Sequence, residues 1–383
     1  MIFSREPGFN LIGFASANLG HGVALRNTAE ILERNGYPFG VLDIDPGDGR
    51  TGHDLSLRSR FLTAGRPLPH PINLFHLNPP ALESLFRDLP GVVETQGRFN
   101  VGITFWELPK LPRSWAPILG AMDLILAPSR FIQDALEDAV KTAPILHYPQ
   151  IISRQEARPD RSRWGLMPGK TVFLFSFDVA SGVPRKNPTA VIDAFRRAFP
   201  PGHAELILKI NNRDLSSTAA MVVEKLKVLA GMVPGIRILD EALAYPDLLS
   251  LYASIDVLVS LHRGEGLGLS LMECMALGKP VIATGWSGNM DFMNEDNSCL
   301  VSYTLVPLEP GSHYHALSKG VDQVWAEPSV EDAVDWMRRL EGSPELRREI
   351  GAKAKSSVTN FLELAGRGSV FKEAVSRYHA AFG

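Results

Sequence analysis

Short apolar runs alternate with amphipathic stretches along most of this chain. Asn10 to Ser16 is an apolar run that passes through Asn18-Leu19-Gly20-His21-Gly22 into an amphipathic segment, Val23 to Arg34, stopped at Asn35-Gly36. Tyr37 to Ile44 is the next apolar run. Runs this short, bounded by turn residues, read as buried strands, and segments with apolar residues at helical spacing read as helices. Strand–helix–strand units of this kind build a parallel sheet with helices on both faces. The rhythm continues with strands at Ile72 to Leu77, Asn100 to Phe105 and Asp123 to Ala127, and helices at Ala81 to Leu89, Trp115 to Gly120 and Arg130 to Val140. It restarts after a Pro- and Gly-containing stretch, 148–170, which reads as an interdomain linker.

The second half carries strands at Thr171 to Phe177, Leu206 to Ile210, Ile236 to Leu239, Ile255 to Leu261 and Pro280 to Thr284. Helices are expected at Pro188 to Ala198, Thr218 to Ala230, Pro246 to Ala253, and from the glycine turn near 265 to Gly278. Residues 178–186 and 305–328 read as loops, the latter because of Pro307, Pro310, Gly311, Gly320 and Pro328. The end, Glu331 to Leu340 and Pro344 to Phe382, reads as helical. The expectation is an α/β chain of two Rossmann-like, doubly wound domains facing a central cleft. The boundaries are 1–160, 161–360, and a last helical segment, 361–383.

Composition agrees with two domains and excludes several functions. A chain of 383 residues exceeds the size at which single cores stop growing. Its 45% hydrophobic content suffices for large cores. A net charge of −3 and the lack of Lys/Arg blocks give no footprint for nucleic acid. Cys274 and Cys299 are the only cysteines, too few for a disulfide framework or a zinc site. The N-terminus does not read as a signal peptide, and no apolar run approaches the roughly 20 residues of a membrane span. A cytoplasmic protein is expected, with peripheral contact at a membrane face left open.

The strongest chemical signal is Glu265-Gly266-Leu267-Gly268-Leu269-Ser270-Leu271-Met272-Glu273. Glycines 264, 266 and 268 follow a buried strand and lead into a helix, whose first N–H groups lack partners and whose dipole end is positive. That combination makes an anion site, most naturally for phosphate. Counted at helical spacing, Glu265 and Glu273 fall on roughly one face, which suits a ligand with hydroxyls as well as phosphates. The bland reading, a turn with two surface glutamates, leaves unexplained two glycines that each cost about 1 kcal/mol in a helix. Arg185-Lys186-Asn187-Pro188 follows the first strand of the second half, where ligands of such sheets sit. Cations at a helix start oppose the dipole unless a phosphate accompanies them.

The first half says less. Gly20 and Gly22 form a second glycine turn without the dinucleotide-binding spacing, so Asp43 reads as an ordinary strand end. Trp106 and Glu107 end a strand at the expected ligand edge, against the alternative of a proline-boxed corner. His76 and His147 read as packing or surface residues. Asp43 and Asp45 read as a strand-end accident, and no metal is expected.

From about Phe177 to Tyr303 the chain resembles the retaining GT-B glycosyltransferases of the group 1 (GT4) family. The resemblance rests on EGLGLSLMECMALGKPVIAT, on Ser287-Gly288-Asn289-Met290-Asp291 and on the basic pair at 185–186. Trp325-Ala326-Glu327-Pro328 resembles a bacterial polysaccharide biosynthesis subgroup. The resemblance implies a metal- and cofactor-independent transfer of a hexose from a nucleoside diphosphate sugar, UDP- or GDP-linked, to a glycan or lipid-linked acceptor. Arg185 and Lys186 would hold the diphosphate, aided by the N–H groups of Gly266, Leu267 and Gly268. Glu265 would lie near the sugar, Glu273 would bind the ribose, and the Gly20–Gly22 turn would approach the phosphates or the acceptor. Three departures stand out, one of them Asp291 where the family usually has a Glu. Ser181 and the backbone stand where the family has an additional Arg, and Trp106-Glu107 stands where the family often has a His, which makes Glu107 a catalytic candidate. The competing readings are a GT-B phosphorylase or nucleotide-sugar epimerase-like hydrolase, a nucleotide-sugar-binding subunit without catalysis and, more weakly, an NAD-linked dehydrogenase.

Overall fold

The computed structural model describes residues 7–88, 93–153, 157–309, 313–318 and 320–383. The chain divides into two compact units: Met1–Ser153 with Ala316–Gln323 and Leu362–Gly383, and Arg154–His315 with Val324–Phe361.

The first unit is built on a six-stranded parallel sheet. Its strands are β1 (Phe9–Gly13), β2 (Phe39–Asp43), β3 (Ile72–His76), β4 (Phe99–Ile103), β5 (Leu124–Ala127) and β6 (Ile145–His147), in the order β2-β1-β3-β4-β5-β6. The strand order reverses between β1 and β3, where Gly13 lies opposite His76. That switch point is where ligands of doubly wound sheets bind. The helix Gly20–Arg34 begins beside it. β1 is buried along its whole length, as a strand covered on both faces must be. The last helix, Ser369–Phe382, joins this core through Phe371, whose ring meets Phe9 at 5.6 Å and Tyr148 at 5.4 Å.

The second unit repeats the plan with β7 (Val172–Asp178), β8 (Glu205–Asn211), β9 (Ile236–Leu239), β10 (Val257–Ser260), β11 (Val281–Thr284) and β12 (Cys299–Val301). The order is β12-β11-β10-β7-β8-β9, and β10 pairs with β7 in parallel. The reversal therefore falls between β7 and β10. It brings the segment after β7, with Arg185 and Lys186, beside the segment after β10, with Glu265. Phe173, Phe175, Phe195, Leu206 and Leu208 fill the core beneath.

Four expectations change. Residues 178–186 form a 3-10 turn, Val179–Ser181, and a short helix, Val183–Lys186, instead of a loop. Gly182 at φ +82 makes the corner, and Pro184 suits a first helical turn. Within 305–328 runs an antiparallel pair, β13 (Tyr303–Pro307) and β14 (Val324–Pro328). Both prolines sit at strand ends, where a missing N–H costs the ladder little. The linker stretch is packed into the two units it joins: Tyr148 and Ile151 are buried in the first, Trp164 in the second. The helix after β10 starts at Leu269, because Gly268 at φ +91 interrupts the chain just before it. Counting helical turns from Glu265 to Glu273 therefore does not apply. Leu89, the expected end of one helix, lies outside the described residues.

Candidate functional site

Glu265 lies at the centre of the second unit's switch point. Lys186 Nζ donates to its Oε1, and Arg185 Nη1 lies 3.4 Å from its Oε2. Burial alone would push this carboxyl up, but Lys186 and then Arg185 outweigh it and hold the pKa at about 2. The backbone of Glu265 is fixed as well. Its N–H donates to Ser287 Oγ at 2.8 Å, and its carbonyl accepts from Gly288 N–H at 2.9 Å. A Cβ at Gly288 would collide with the Gly266 carbonyl, so only glycine fits under this loop. Ser287 takes φ +79 and ψ −153, a conformation that strains any residue with a Cβ by about 1–3 kcal/mol. The strain falls on a residue that helps hold Glu265 in place.

Behind this turn sits His262, fully buried. Its Nε2 faces the Asn289 side-chain oxygen at 3.1 Å and the Trp286 carbonyl at 3.3 Å, so Nε2 carries the proton. Its Nδ1 then accepts from the Ser260 hydroxyl at 3.0 Å. Burial lowers its pKa, which keeps the ring neutral in this role. Sequence reasoning missed His262 and the Gly288 packing. The only signal was the Ser287-Gly288-Asn289 string, whose contacts with Glu265 are tertiary.

Arg185 departs from the expected fork open to a ligand. Its side chain is buried, with Nη1 donating to Gly264 O at 2.6 Å, Nη2 to Ser181 O at 2.8 Å and Nε to the Tyr314 hydroxyl at 2.8 Å. The guanidinium faces protein, and its charge reaches the site through Glu265. Ser181 enters through its carbonyl. Lys186, with 16% of its side chain exposed, is the cation nearer solvent.

Leu269–Ala276 begins with Gly268 as N-cap, no side-chain cap and no acidic residue in its first turn. The N–H groups of Leu271 and Met272 donate to the Gly268 carbonyl, and the positive dipole end of the helix favours an anion. Leu267 is buried and anchors the turn. Glu273 is also buried and accepts from the Tyr245 hydroxyl at 2.9 Å. Burial raises its pKa to about 7. The two glutamates thus stand in opposite electrostatic states, one compensated by cations and one desolvated. The open cavity formed by Arg163, Trp164, Arg237 and Glu241 lies elsewhere in the unit, and its arginines pair with Asp247 and Glu205.

In the first unit, His76 ends β3 fully buried, and neither ring nitrogen finds a hydrogen-bond partner. Burial, then the neighbouring His21, lowers its pKa to about 3. His21 occupies the first turn of Gly20–Arg34, with its ring 5.0 Å from Phe105. Burial lowers its pKa while Glu107 pulls it up. Glu107 therefore belongs to this cluster. Trp106 is buried, donates to Lys110 O at 2.7 Å and stacks edge-on with Trp115, so it shapes the corner behind Glu107. A Cβ at Gly20 would meet nothing within 4 Å, whereas one at Gly22 would lie 2.6 Å from the Ala17 carbonyl. Gly22 is thus required by the packing of its own turn, whatever else that turn serves. Gly20 leaves open space. Asp43 accepts from Ser16 N–H at 3.0 Å and Asp45 from Gly47 N–H at 2.8 Å, both as turn-holders. Among the described residues no cluster of three His, Cys, Asp or Glu is placed to hold a metal, and no helix is long and apolar enough to cross a membrane.

Two parallel six-stranded sheets of this kind define the class: the fold is GT-B. The chain matches sucrose-phosphate synthase from Thermosynechococcus elongatus with a TM-score of 0.70 at 13% identity, over 97% of this chain and 99% of that one. It matches Anabaena Alr3699/HepE in complex with UDP and glucose with a TM-score of 0.63 at 14% identity, over 97% and 100% of the two chains. The lipopolysaccharide outer core galactosyltransferase WaaB, in its apo form, matches with a TM-score of 0.60 at 14% identity, over 96% and 99%. At these identities the likeness is one of fold. Residues 183–318, which include Lys186, Glu265 and Glu273, match the family model described as Glycosyl transferases group 1. No curated protein matches the chain.

Proposed function

We propose that this protein is a glycosyltransferase that moves a hexose from a nucleoside diphosphate sugar to a glycan or lipid-linked acceptor, with retention of configuration and without a metal. The observation that carries the reading is the Lys186–Glu265 pair at the β7/β10 switch point, within a segment matching group 1 glycosyl transferases. The HepE structure, which binds UDP and glucose, supports a UDP-linked donor by analogy of fold.

In this reading Lys186 and the N–H groups of the Gly266-Leu267-Gly268 turn, at the positive end of Leu269–Ala276, hold the diphosphate, replacing a metal as counter-charge. Lys186 and Arg185 keep Glu265 ionised, and Glu265 accepts from sugar hydroxyls. Glu273 receives the ribose hydroxyls. The bond from the anomeric carbon to the phosphate oxygen breaks, the acceptor oxygen bonds to that carbon on the same face, and the leaving phosphate takes the acceptor proton. On the first unit we assign Glu107 a catalytic role and the open space at Gly20 to ligand approach. Peripheral contact with a membrane belongs to the same proposal, through a lipid-linked acceptor.

Turnover tests it. The full chain should release nucleoside diphosphate from a UDP- or GDP-sugar only when acceptor is added, and Glu265→Gln should lower that rate by about 100-fold or more. Undiminished turnover in Glu265→Gln would remove the assignment. Specific nucleotide-sugar binding with no turnover would favour the non-catalytic subunit instead.

A further inference from the structure

Arg185 is held by two kinds of partner. The carbonyls of Ser181 and Gly264 belong to the segments that flank the site. The third partner, Tyr314, arrives from 129 residues away, on the short helix His313–Leu317 that follows β13. Its ring lies so close over Gly182 that a Cβ there would meet Cε2 at 2.9 Å. Its hydroxyl accepts from Arg185 Nε at 2.8 Å, and the guanidinium carbon lies 5.8 Å from its ring centroid. A second tie joins the same pieces. Arg263 N–H donates to the Arg185 carbonyl at 2.7 Å, and Arg263 Nε donates to Glu327 on β14 at 2.6 Å. The segment from β13 to β14 thus grips the basic turn at two points.

We propose that Tyr314 is a positioning residue of the donor site: its hydroxyl fixes the Arg185 guanidinium against Glu265, so the β13–β14 segment sets the geometry of the site. This rests on the glycosyltransferase reading above. The helix Val183–Lys186 has four residues and cannot by itself immobilise an arginine, whose side chain is among the most rotamer-rich. Planar guanidinium donors need fixed acceptors, and a displacement of about 1 Å in a catalytic group costs rate more than binding. Backbone carbonyls survive any substitution. The Tyr314 hydroxyl does not, so it can be tested separately.

The experiment compares the full-length wild type, Tyr314→Phe, Arg185→Lys and the double variant, reading kcat and KM for the sugar donor and the melting temperature. Phe keeps the ring over Gly182 and removes only the hydroxyl. Tyr314→Phe should lower kcat about tenfold, as expected for loss of a hydrogen bond to a charged group. Donor KM should stay within about twofold and the melting temperature within about 2 °C. In the Arg185→Lys background the same change should have no further effect, since Tyr314 acts through Arg185. Wild-type kcat in Tyr314→Phe, or losses that add in the double variant, would overturn the proposal while leaving the glycosyltransferase reading intact. A wild type that turns over no UDP- or GDP-sugar would remove both.

Discussion

The carboxyl edges of the two sheets solve the same burial problem in opposite ways. In the second unit a buried carboxylate, Glu265, stays ionised because Lys186 and Arg185 lie against it. In the first unit the buried group is an imidazole, His76, and burial leaves it neutral with its nitrogens unpartnered. Charge is kept where cations compensate it and given up where they do not. The edge of the second unit can orient phosphates and hydroxyls. That of the first unit is suited to neutral polar groups, with Glu107 beside His21.

The largest expected effect that sharpens this contrast is the pH dependence of stability. His76 has a folded pKa of about 3 against 6.5 unfolded. Its contribution is present above 6.5 and is lost as pH falls, by about 3 kcal/mol at pH 4. Glu273 has the opposite sign. Its folded pKa of about 7 lies above the unfolded 4.5, so its contribution is full below 4.5 and is lost as pH rises to 7, by up to about 3 kcal/mol. Denaturant unfolding across pH should show both limbs. His76→Leu should shrink the acid limb without changing the neutral one, and Glu273→Gln should shrink the neutral limb without changing the acid one. Unchanged limbs in both variants would break the comparison.

The smallest effect concerns the glycine turn of the first unit. Gly20→Ala adds a Cβ that meets nothing, so stability should hold or rise by roughly 0.5–1 kcal/mol through helix propensity. If a ligand approaches there, donor or acceptor KM rises in the same variant. Stability measured beside KM separates the two roles.

Much of this was legible in the sequence. The alternation of apolar runs located most strands, and Ile236–Leu239 matches its expected limits. The glycines around Glu265 and the basic pair were expected at one carboxyl edge of one sheet, and the fold brings them together there, because loop chemistry is written locally. What stayed hidden was tertiary. Nothing near His262 announces Asn289 and the Trp286 carbonyl as its partners, and Tyr314 lies in a stretch whose prolines look like loop. Arg185 and Lys186 look alike in sequence, yet one is buried against carbonyls and the other reaches toward solvent. That difference depends on Gly264 and Tyr314, brought together only by the fold. The neutral edge of the first unit was invisible for the same reason: His76 is a single residue at a strand end, and its state follows from its burial beside His21.

The most direct measurement is a calorimetric titration of UDP and GDP into the full chain, wild type and Lys186→Ala. The compensated edge of the second unit should bind one of the two nucleotides in the wild type. Loss of the Lys186 charge should weaken that binding by about tenfold to 100-fold. Equal affinity in the two proteins, or binding of neither nucleotide by the wild type, would contradict the account.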